Sequence, residues 1–321
     1  MLIRYFIAIV AGLGFFLSHA IAQSYPTRPV RLLVGFPPGG SADILARVFA
    51  TELEKPLGQP MVVENRPGAD GLLAAGLLAK ATPDGYTLGV VVPGNVTNLL
   101  LYKGKDVPYD VAKDFAPIAP MATTPLVLVV TPSLPVNSVK DLVALAKAKS
   151  GALNYGSAGH GSSHQFFTEL MNNKTGIKIT HVPYQGGGPA IRATMAGEVA
   201  MTWVSVASGS AQIQAGTLKP LATSLKTRLP SMPNVPTMIE SGIAGYAADV
   251  WLGIQAPAGT PRPVIARINA EMNGISKSPS MLDRFSKMGM IPMYQTPEEF
   301  TATIADEAAK WSGLLKDGEF K

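Results

Sequence analysis

The sequence predicts an α/β fold made of two lobes. The first observation is an alternation, in which an apolar strand leads five times through a loop of small residues into a helix. The second is a pair of long apolar segments, Leu126–Val130 and Val250–Ala256, which we interpret as strands crossing between the lobes. Such alternation favours largely parallel sheets. The first lobe is then expected to contain residues 23–125 plus 250–321, and the second lobe residues 126–249.

Each of the five units places small residues between the end of a strand and the start of a helix. In chain order the predicted strands are Val30–Phe36, Tyr86–Val92, Leu153–Tyr155, Ile179–Tyr184 and Val199–Val204. The helices that follow are expected from Ser41, near Val96, from Ser163, from Pro189 and after Ser208. Ligands of open α/β sheets bind beyond the carboxyl ends of the strands, where these loops lie. A last helix is expected after Thr296-Pro297, with Phe300, Ile304, Trp311 and Leu315 on one face.

The loop after the first strand is the strongest candidate for a binding site. A Pro-Pro-Gly-Gly bend leads into the helix, and Ser41 is expected to be the N-cap of that helix. The start of the helix leaves several backbone N–H groups without a partner around one point. The loop contains no Arg, Lys, His or Cys, so we expect it to hold a carboxylate by backbone, with Gly39 and Gly40 supplying φ values closed to other residues. The predicted contacts are Phe36, Pro38, Gly39, Gly40, Ser41, Ala42 and Asp43.

A second helix start lies in the other lobe. Ser162 and Gln165 have capping-box spacing, which predicts a helix from Ser163. Two opposed helix starts can hold both ends of a dicarboxylate or one carboxylate between lobes, although an ordinary glycine-rich turn is the alternative. The predicted contacts are Ser157, Ala158, Gly159, His160, Ser162 and Ser163, with Gln185 and Gly186 from the next loop. Asn95 and Ser205 lie at the ends of their strands. We expect each of them to be either a further ligand contact or a plain helix cap.

Metal and catalytic interpretations of the same residues are weaker. His160 and His164 are four apart, but they flank the predicted N-cap and lack the Glu of an HExxH motif. The serines near these histidines suggest a hydrolase, yet no GxSxG motif occurs in the chain. We therefore expect no catalytic residue, no metal and no cofactor. The segment 64–68 is interpreted as a turn on the outer surface, with Arg66 outside the pocket.

The N-terminus is typical of an export signal. Arg4 precedes an apolar run, Tyr5 to Leu17, and Ala20-Ile21-Ala22 is a small-x-small cleavage site, so residues 1–22 are expected to be removed before Gln23. The alternative, a membrane anchor, needs roughly 20 apolar residues. The chain has no cysteine, and its net charge of +5 is spread without a basic run. We expect an exported periplasmic monomer that does not bind nucleic acid.

Six segments resemble one family in the same order. Residues 36–43, 57–71, 81–88, 153–164, 181–190 and 251–261 resemble the Bug family, the periplasmic solute receptors of tripartite tricarboxylate transporters. The resemblance implies a type II periplasmic binding fold joined by two crossing strands. It also implies a receptor that captures a small carboxylate for membrane transporter subunits. A ligand-dependent signalling receptor is the alternative, followed by the Ser/His hydrolase. Citrate-like acids, dicarboxylates, amino acids and aromatic carboxylates all remain open as ligands.

Overall fold

A computed structural model describes residues 25–68, 71–101, 107–246 and 248–316, with the side chains of 98–101 and 313–316 left out. The predicted signal peptide, residues 1–22, and its cleavage site lie outside these ranges. The strands are β1 Val30–Val34, β2 Met61–Asn65, β3 Thr87–Val91, β4 Phe115–Thr124, β5 Leu126–Val130, β6 Asn154–Ser157, β7 Thr180–Pro183, β8 Met201–Ser205, β9 Lys219–Thr223, β10 Val250–Pro257 and β11 Ile291–Pro292. The helices are α1 Ser41–Leu57, α2 Leu72–Ala79, α3 Pro93–Leu101, α4 Val139–Ala148, α5 Ser163–Thr175, α6 Gly187–Ala196, α7 Val206–Gln214, α8 Arg262–Ser276, α9 Pro279–Met288 and α10 Pro297–Lys316.

The strands form two sheets, one in each lobe. The first has the order β11-β4-β10-β3-β1-β2 and the second the order β7-β6-β8-β5-β9. The chain passes from the first sheet to the second at Pro125, between β4 and β5, and returns between β9 and β10. The predicted two-lobed α/β fold is confirmed. The residue limits that the sequence predicts for the lobes stay a prediction.

The expectation of largely parallel sheets is wrong. Among the described strands only β1 with β2, β1 with β3, β6 with β7 and β6 with β8 pair in parallel. The reason lies in the two apolar segments at the crossings. β10 enters the first sheet between β3 and β4 and is antiparallel to both, and β5 lies antiparallel between β8 and β9. The parallel blocks are therefore the parts of each sheet whose carboxyl ends meet at one edge.

The last helix, α10, contributes to the cores of both lobes. Phe300 and Ile304 pack with Val91 and Trp251 in the first lobe. About two turns after Ile304, Trp311 packs against Phe166 in the core of the second lobe, with 4.8 Å between ring centroids. The predicted apolar face is thus buried as far as Trp311, while the side chain of Leu315 lies outside the described part. Within the described ranges, no helix has the length and apolar character needed to cross a membrane.

Several helix starts outside the first loop differ from the sequence expectation. α3 begins at Pro93 rather than near Val96, and α7 begins at Val206 rather than after Ser208. α6 begins at Gly187, two residues before the predicted start at Pro189, and Gly186 is its N-cap. Proline is compatible with the first turn of a helix, where its missing N–H removes no helical hydrogen bond, so Pro189 does not have to begin the helix. α9 begins after the N-cap Ser278, whose hydroxyl accepts a hydrogen bond from the Met281 N–H, and it had no counterpart in the sequence analysis.

Candidate functional site

The first loop connects β1 to α1. Gly40, in an extended conformation with φ −77° and ψ 165°, is the N-cap of α1. Ser41 is therefore the first helical residue, and its prediction as N-cap is wrong. Gly39 has a φ of +84°, which L side chains rarely adopt, whereas the φ of Gly40 is open to any residue. The predicted need for glycine conformation thus applies to Gly39 alone.

The start of α1 offers several unpaired backbone donors. The N–H of Ile44 donates to the Gly40 carbonyl over 2.9 Å, which is the first helical bond. Within the described residues, no acceptor forms a hydrogen bond with the N–H groups of Ser41, Ala42 and Asp43. Pro38, Gly39, Gly40 and Ser41 are exposed, and Phe36 is half-buried. The bend therefore places donors of a helix start beside a solvent-accessible surface, an arrangement that attracts anions.

Asp43 does not present its carboxylate to this surface. The residue as a whole is 3% exposed, and its carboxylate accepts hydrogen bonds from the Gly39 N–H (2.9 Å), from Asn65 Nδ2 (2.8 Å) and from Arg47 Nε (3.0 Å). Burial alone would raise the pKa of the Asp43 carboxyl, but the hydrogen bonds from Arg47, Gly39 and Asn65 outweigh it and hold that pKa below its ordinary value. The carboxylate is ionised, and it stabilises the loop through its hydrogen bond with the Gly39 N–H.

Two glycines that the sequence analysis overlooked join this loop to α2. A Cβ atom on Gly35 would lie 2.4 Å from the Cα of Gly71, the N-cap of α2. A Cβ atom on Gly71 would lie 3.1 Å from Asn95 Nδ2 and 3.6 Å from the Phe36 ring. The start of α2 therefore lies against the first loop and Asn95. A signal was available, because Gly68 to Gly71 follow β2 much as Gly39 and Gly40 follow β1.

Asn95 lies at the start of α3 and is 2% exposed. Its Oδ1 accepts a hydrogen bond from the Val92 N–H over 2.9 Å, and its carbonyl accepts one from the Tyr109 hydroxyl over 2.9 Å. No acceptor among the described residues pairs with its Nδ2, which points toward Gly71. Asn95 thus combines a capping bond with one available donor.

Asn65 and Arg66 belong to the turn that the sequence places on the outer surface, but their side chains point in different directions. Arg66 is 52% exposed and its Nη2 lies 3.4 Å from Glu64, in agreement with a position outside the pocket. Asn65 turns inward, and its Nδ2 donates to the Phe36 carbonyl over 3.0 Å. The turn is therefore only partly an outer-surface feature.

In the second lobe, Ser162 is the N-cap of α5 and the helix begins at Ser163, as predicted. The expected capping box is wrong in detail. The Ser162 hydroxyl donates to the Gly159 carbonyl over 2.7 Å, and Gln165 Oε1 accepts from the Gly161 N–H over 2.8 Å. Within the described residues, the N–H groups of Ser163, His164 and Gln165 have no acceptor, so this helix start is open as well.

Ser157 is joined to His181, a pair that the sequence analysis did not connect. The Ser157 Oγ lies 2.5 Å from His181 Nε2 and accepts a hydrogen bond from the Gly159 N–H over 3.0 Å. The Ser157 side chain has no exposed surface, and in the described part of the chain no carboxylate hydrogen-bonds to His181. Burial, and then the nearby His160, lowers the pKa of His181 to about 4. The pair fixes the shape of the loop and leaves Ser157 inaccessible to a substrate.

The two histidines of the second loop point to different surroundings. His160 is exposed, with its ring centroid 5.1 Å from that of His181. His164 is half-buried beside Gly187, and burial lowers its pKa to about 4 against the opposing effect of the Trp203 carbonyl. Among the residues that the structure describes, no three His, Cys, Asp or Glu side chains come together as a metal site would require.

The remaining predicted contacts lie on neighbouring loops of the second lobe. A Cβ atom on Gly159 would lie 3.4 Å from the Tyr184 carbonyl, so the loop with Gln185 and Gly186 adjoins the second loop. Gln185 is exposed, and Ala158 is half-buried. Ser205 is the N-cap of α7, and its hydroxyl accepts a hydrogen bond from the Ser208 N–H over 3.2 Å. The interpretation of Ser205 as a helix cap therefore fits its geometry.

Each lobe thus gathers helix starts at one edge of its sheet. In the first lobe α1, α2 and α3 begin beyond the carboxyl ends of β1, β2 and β3. In the second lobe α5, α6 and α7 begin beyond β6, β7 and β8. No lysine or arginine occurs in the predicted contact set. Backbone N–H groups and small polar side chains are consequently the main donors that these edges offer.

Comparison with known proteins places the chain in a family. Residues 45–319 match the model described as "Tripartite tricarboxylate transporter family receptor". BugT of Bordetella pertussis is 35% identical over 315 residues, covering 96% of this chain and 97% of BugT. A Rhodopseudomonas palustris protein solved with adipate is 36% identical, with a TM-score of 0.84 over 91% of this chain and 97% of that one. MatC of the same species, solved with bound malate, is 30% identical, with a TM-score of 0.80 over 90% and 99%. The resemblance to the Bug family is confirmed, and the chain belongs to the family of tripartite tricarboxylate transporter receptors.

Proposed function

We propose that this protein is a periplasmic receptor that captures a small carboxylate between its lobes for a tripartite tricarboxylate-type transporter. The observation that carries the proposal is the open start of α1, where the unpaired N–H groups of Ser41, Ala42 and Asp43 lie behind the Gly39 bend. Two relatives of similar length and fold were solved with adipate and with malate, both dicarboxylates. Unpaired N–H donors bind carboxylates, and carboxylates are also the ligands of these two relatives.

The available interactions are strong enough for useful affinity. A helix dipole contributes about 0.3–1 kcal/mol, or about 2 kcal/mol when partly buried. Each direct hydrogen bond to a charged group adds about 1.5–3 kcal/mol. Micromolar binding requires about 8 kcal/mol after the costs of ordering are subtracted. A few contacts from α1 and α5, with Asn95 Nδ2 as a further donor, reach that range without an arginine in the pocket.

Binding is proposed to close the lobes by a hinge motion. The chain crosses between the sheets at Pro125 and again in the segment before Val250, and these are the positions where a hinge would lie. A carboxylate held by the first loop gains contacts with the second loop only in the closed form, and this difference drives closure. The ligand is held and released unchanged, because the buried Ser157 is not available as a nucleophile.

Export and delivery complete the proposal. Cleavage before Gln23 would release a monomer into the periplasm, where membrane transporter subunits receive the ligand. A sensor protein is the second candidate for the partner, and the receptor chemistry is the same in both cases. N-terminal sequencing of exported protein tests the cleavage, and a chain that still begins at Met1 in the membrane fraction would contradict it.

A panel of carboxylates tests the function. We expect at least one of succinate, adipate, malate, citrate, aspartate and benzoate to raise the Tm, because a ligand at about 100 times its Kd stabilises the fold by about 2.7 kcal/mol. The uncharged diamide of the best ligand is the control and should have no effect. Small-angle scattering should show a smaller radius of gyration with the same ligand. No shift with any carboxylate, or equal shifts with the diamide, would contradict the proposal.

Substitution of Gly39 by alanine tests the first loop. Gly39 has φ +84° and Gly151 has φ +76°, and a Cβ atom meets nothing within 4 Å at either position, so alanine imposes similar backbone strain in both. Gly151 lies in a turn after α4, outside the candidate site. We expect Gly39→Ala to weaken carboxylate binding by about tenfold or more and Gly151→Ala to leave it unchanged, with similar small losses of stability. Calorimetry measures both, and equal affinities would remove the first loop from the site.

A further inference from the structure

Three side chains beneath the first loop form a closed ring of hydrogen bonds, which we call the clasp: Asp43, Arg47 and Asn65. Arg47 Nε lies 3.0 Å and 3.1 Å from the two Asp43 oxygens, and its Nη2 lies 2.9 Å from Asn65 Oδ1. Asn65 Nδ2 returns to Asp43 over 2.8 Å. The clasp holds the loop at two backbone points, the Phe36 carbonyl and the Gly39 N–H. Every member therefore contacts the other two, and together they set the shape of the loop.

The position of Asp43 creates an electrostatic conflict with an anionic ligand. Asp43 is the third residue of α1, where a negative side chain interacts favourably with the helix dipole. A carboxylate bound at the start of α1 would occupy the same favourable field. An ionised and buried Asp43 would repel it strongly, because few water molecules screen the two charges.

Arg47 resolves this conflict from outside the pocket. It lies one turn after Asp43 on α1, bonds both oxygens of the carboxylate, and is itself 51% exposed. Most surface ion pairs contribute little to stability. This pair differs from the pair between Arg284 on α9 and Glu52 on α1, where both partners are exposed, at 48% and 36%. In the clasp the carboxylate is only 4% exposed, so its charge acts directly on the loop.

We propose that Arg47 is a positioning and specificity-determining residue that never touches the ligand: it neutralises Asp43, and so lets the first loop accept an anion. The inference rests on the proposed carboxylate function and assigns the residues that set its charge preference. Asp43 and Asn65 then fix the loop, while the N–H groups of the α1 start remain available to the ligand.

Affinity for succinate, measured by calorimetry, tests the proposal with a matched control. Arg47→Gln should weaken succinate binding by about tenfold or more, because it leaves the charge of Asp43 without its partner. Arg284→Gln removes the same charge from a similarly exposed arginine, which pairs with Glu52 of α1 but not with a buried carboxylate, and it should change affinity by less than about twofold. Equal effects of the two substitutions would mean that only the net charge of the protein matters, and this outcome would overturn the proposal.

A double substitution separates electrostatics from structure. Asp43→Asn in the Arg47→Gln background removes the uncompensated charge, while the asparagine oxygen can still accept the Gly39 N–H. We expect the double variant to bind succinate more tightly than Arg47→Gln alone. If the clasp has only a structural role, each further substitution should weaken succinate binding further. A double variant that binds as weakly as Arg47→Gln, or more weakly, while its Tm shows it to be folded, would therefore refute the charge role.

A measurement without ligand distinguishes failure of this inference from failure of the proposed function. The Gly39 amide donates to Asp43, so its NMR shift reports the ionisation of that carboxyl in the free protein. The midpoint pH of this titration should rise in Arg47→Gln and stay unchanged in Arg284→Gln, because Arg47 contacts Asp43 whereas Arg284 pairs with Glu52. If the midpoint moves but wild-type protein binds no carboxylate, the charge role of Arg47 stands and the proposed function falls. If the midpoint does not move, Arg47 does not control Asp43 and the inference is wrong.

Discussion

Replacing Gly35 by alanine is expected to abolish carboxylate binding, although the substitution adds a single methyl group. The new Cβ atom would lie 2.4 Å from the Gly71 Cα and 3.2 Å from the Gly71 carbonyl oxygen. Both atoms belong to the backbone, so no change of side-chain rotamer relieves the overlap. The first loop and the start of α2 must move apart, and overpacking of this kind costs about 1–3 kcal/mol. The displaced N–H groups of α1 then lose the distances and angles that hydrogen bonds to a carboxylate require.

Calorimetry with the best carboxylate of the panel measures the loss, and Gly274→Ala is the control. Gly274 lies in α8, outside the candidate site, and a Cβ atom there meets nothing within 4 Å. Alanine at this exposed position of the helix should stabilise the fold by about 0.5–1 kcal/mol and leave affinity unchanged. A Gly35→Ala protein that is folded and binds with wild-type affinity would show that the contact between the first loop and α2 is irrelevant to the site.

The comparison of Gly39 with Gly35 explains what sequence reasoning could find. Gly39 stands in a Pro-Pro-Gly-Gly bend before a helix, and its positive φ follows from the local pattern. Gly35 closes an apolar strand, and the reason for a glycine there lies in Gly71, 36 positions further along the chain. Close approach between distant segments leaves no local signature, so this part of the site required the folded chain.

The clasp shows the same limit for polar side chains. Asn65 lies in a stretch whose charges and glycine predicted an outer-surface turn, and Arg66 and Glu64 behave accordingly. The alternation of side chains along β2 does not predict that Asn65, the last residue of the strand, donates a hydrogen bond to the Phe36 carbonyl. Likewise, Asp43 was predicted as a ligand contact from its position in the motif, whereas its carboxylate faces Gly39, Arg47 and Asn65. The sequence predicted the loop and a helix after it, but tertiary contacts decide which atoms face the candidate site.

Mild acid is expected to destabilise the second lobe through two histidines. Burial lowers the pKa of His164 to about 4, and burial together with His160 lowers that of His181 to about 4, while an unfolded histidine has a pKa of about 6.5. Between these values the unfolded chain binds more protons than the folded chain, so the free energy of unfolding falls as the pH falls. At pH 5 the loss from His164 is about 2 kcal/mol relative to pH 7. The loss from His181 is smaller because the protein surrounds this ring less completely than it surrounds His164.

Ligand binding at the candidate site should weaken over the same acidic pH range in which the stability falls. His181 bonds Ser157, which in turn bonds the Gly159 N–H, so protonation of His181 places a charge beneath the second loop. Glu307 acts in the opposite direction, because burial raises its pKa and acid then favours its folded form. Individual histidine variants therefore test the prediction better than the total pH dependence does. Urea unfolding at pH 7 and pH 5 should show a smaller difference for His164→Gln than for wild type, by about 2 kcal/mol. If His164→Gln and wild type lose the same free energy between these two pH values, the buried histidines do not make the second lobe acid-sensitive.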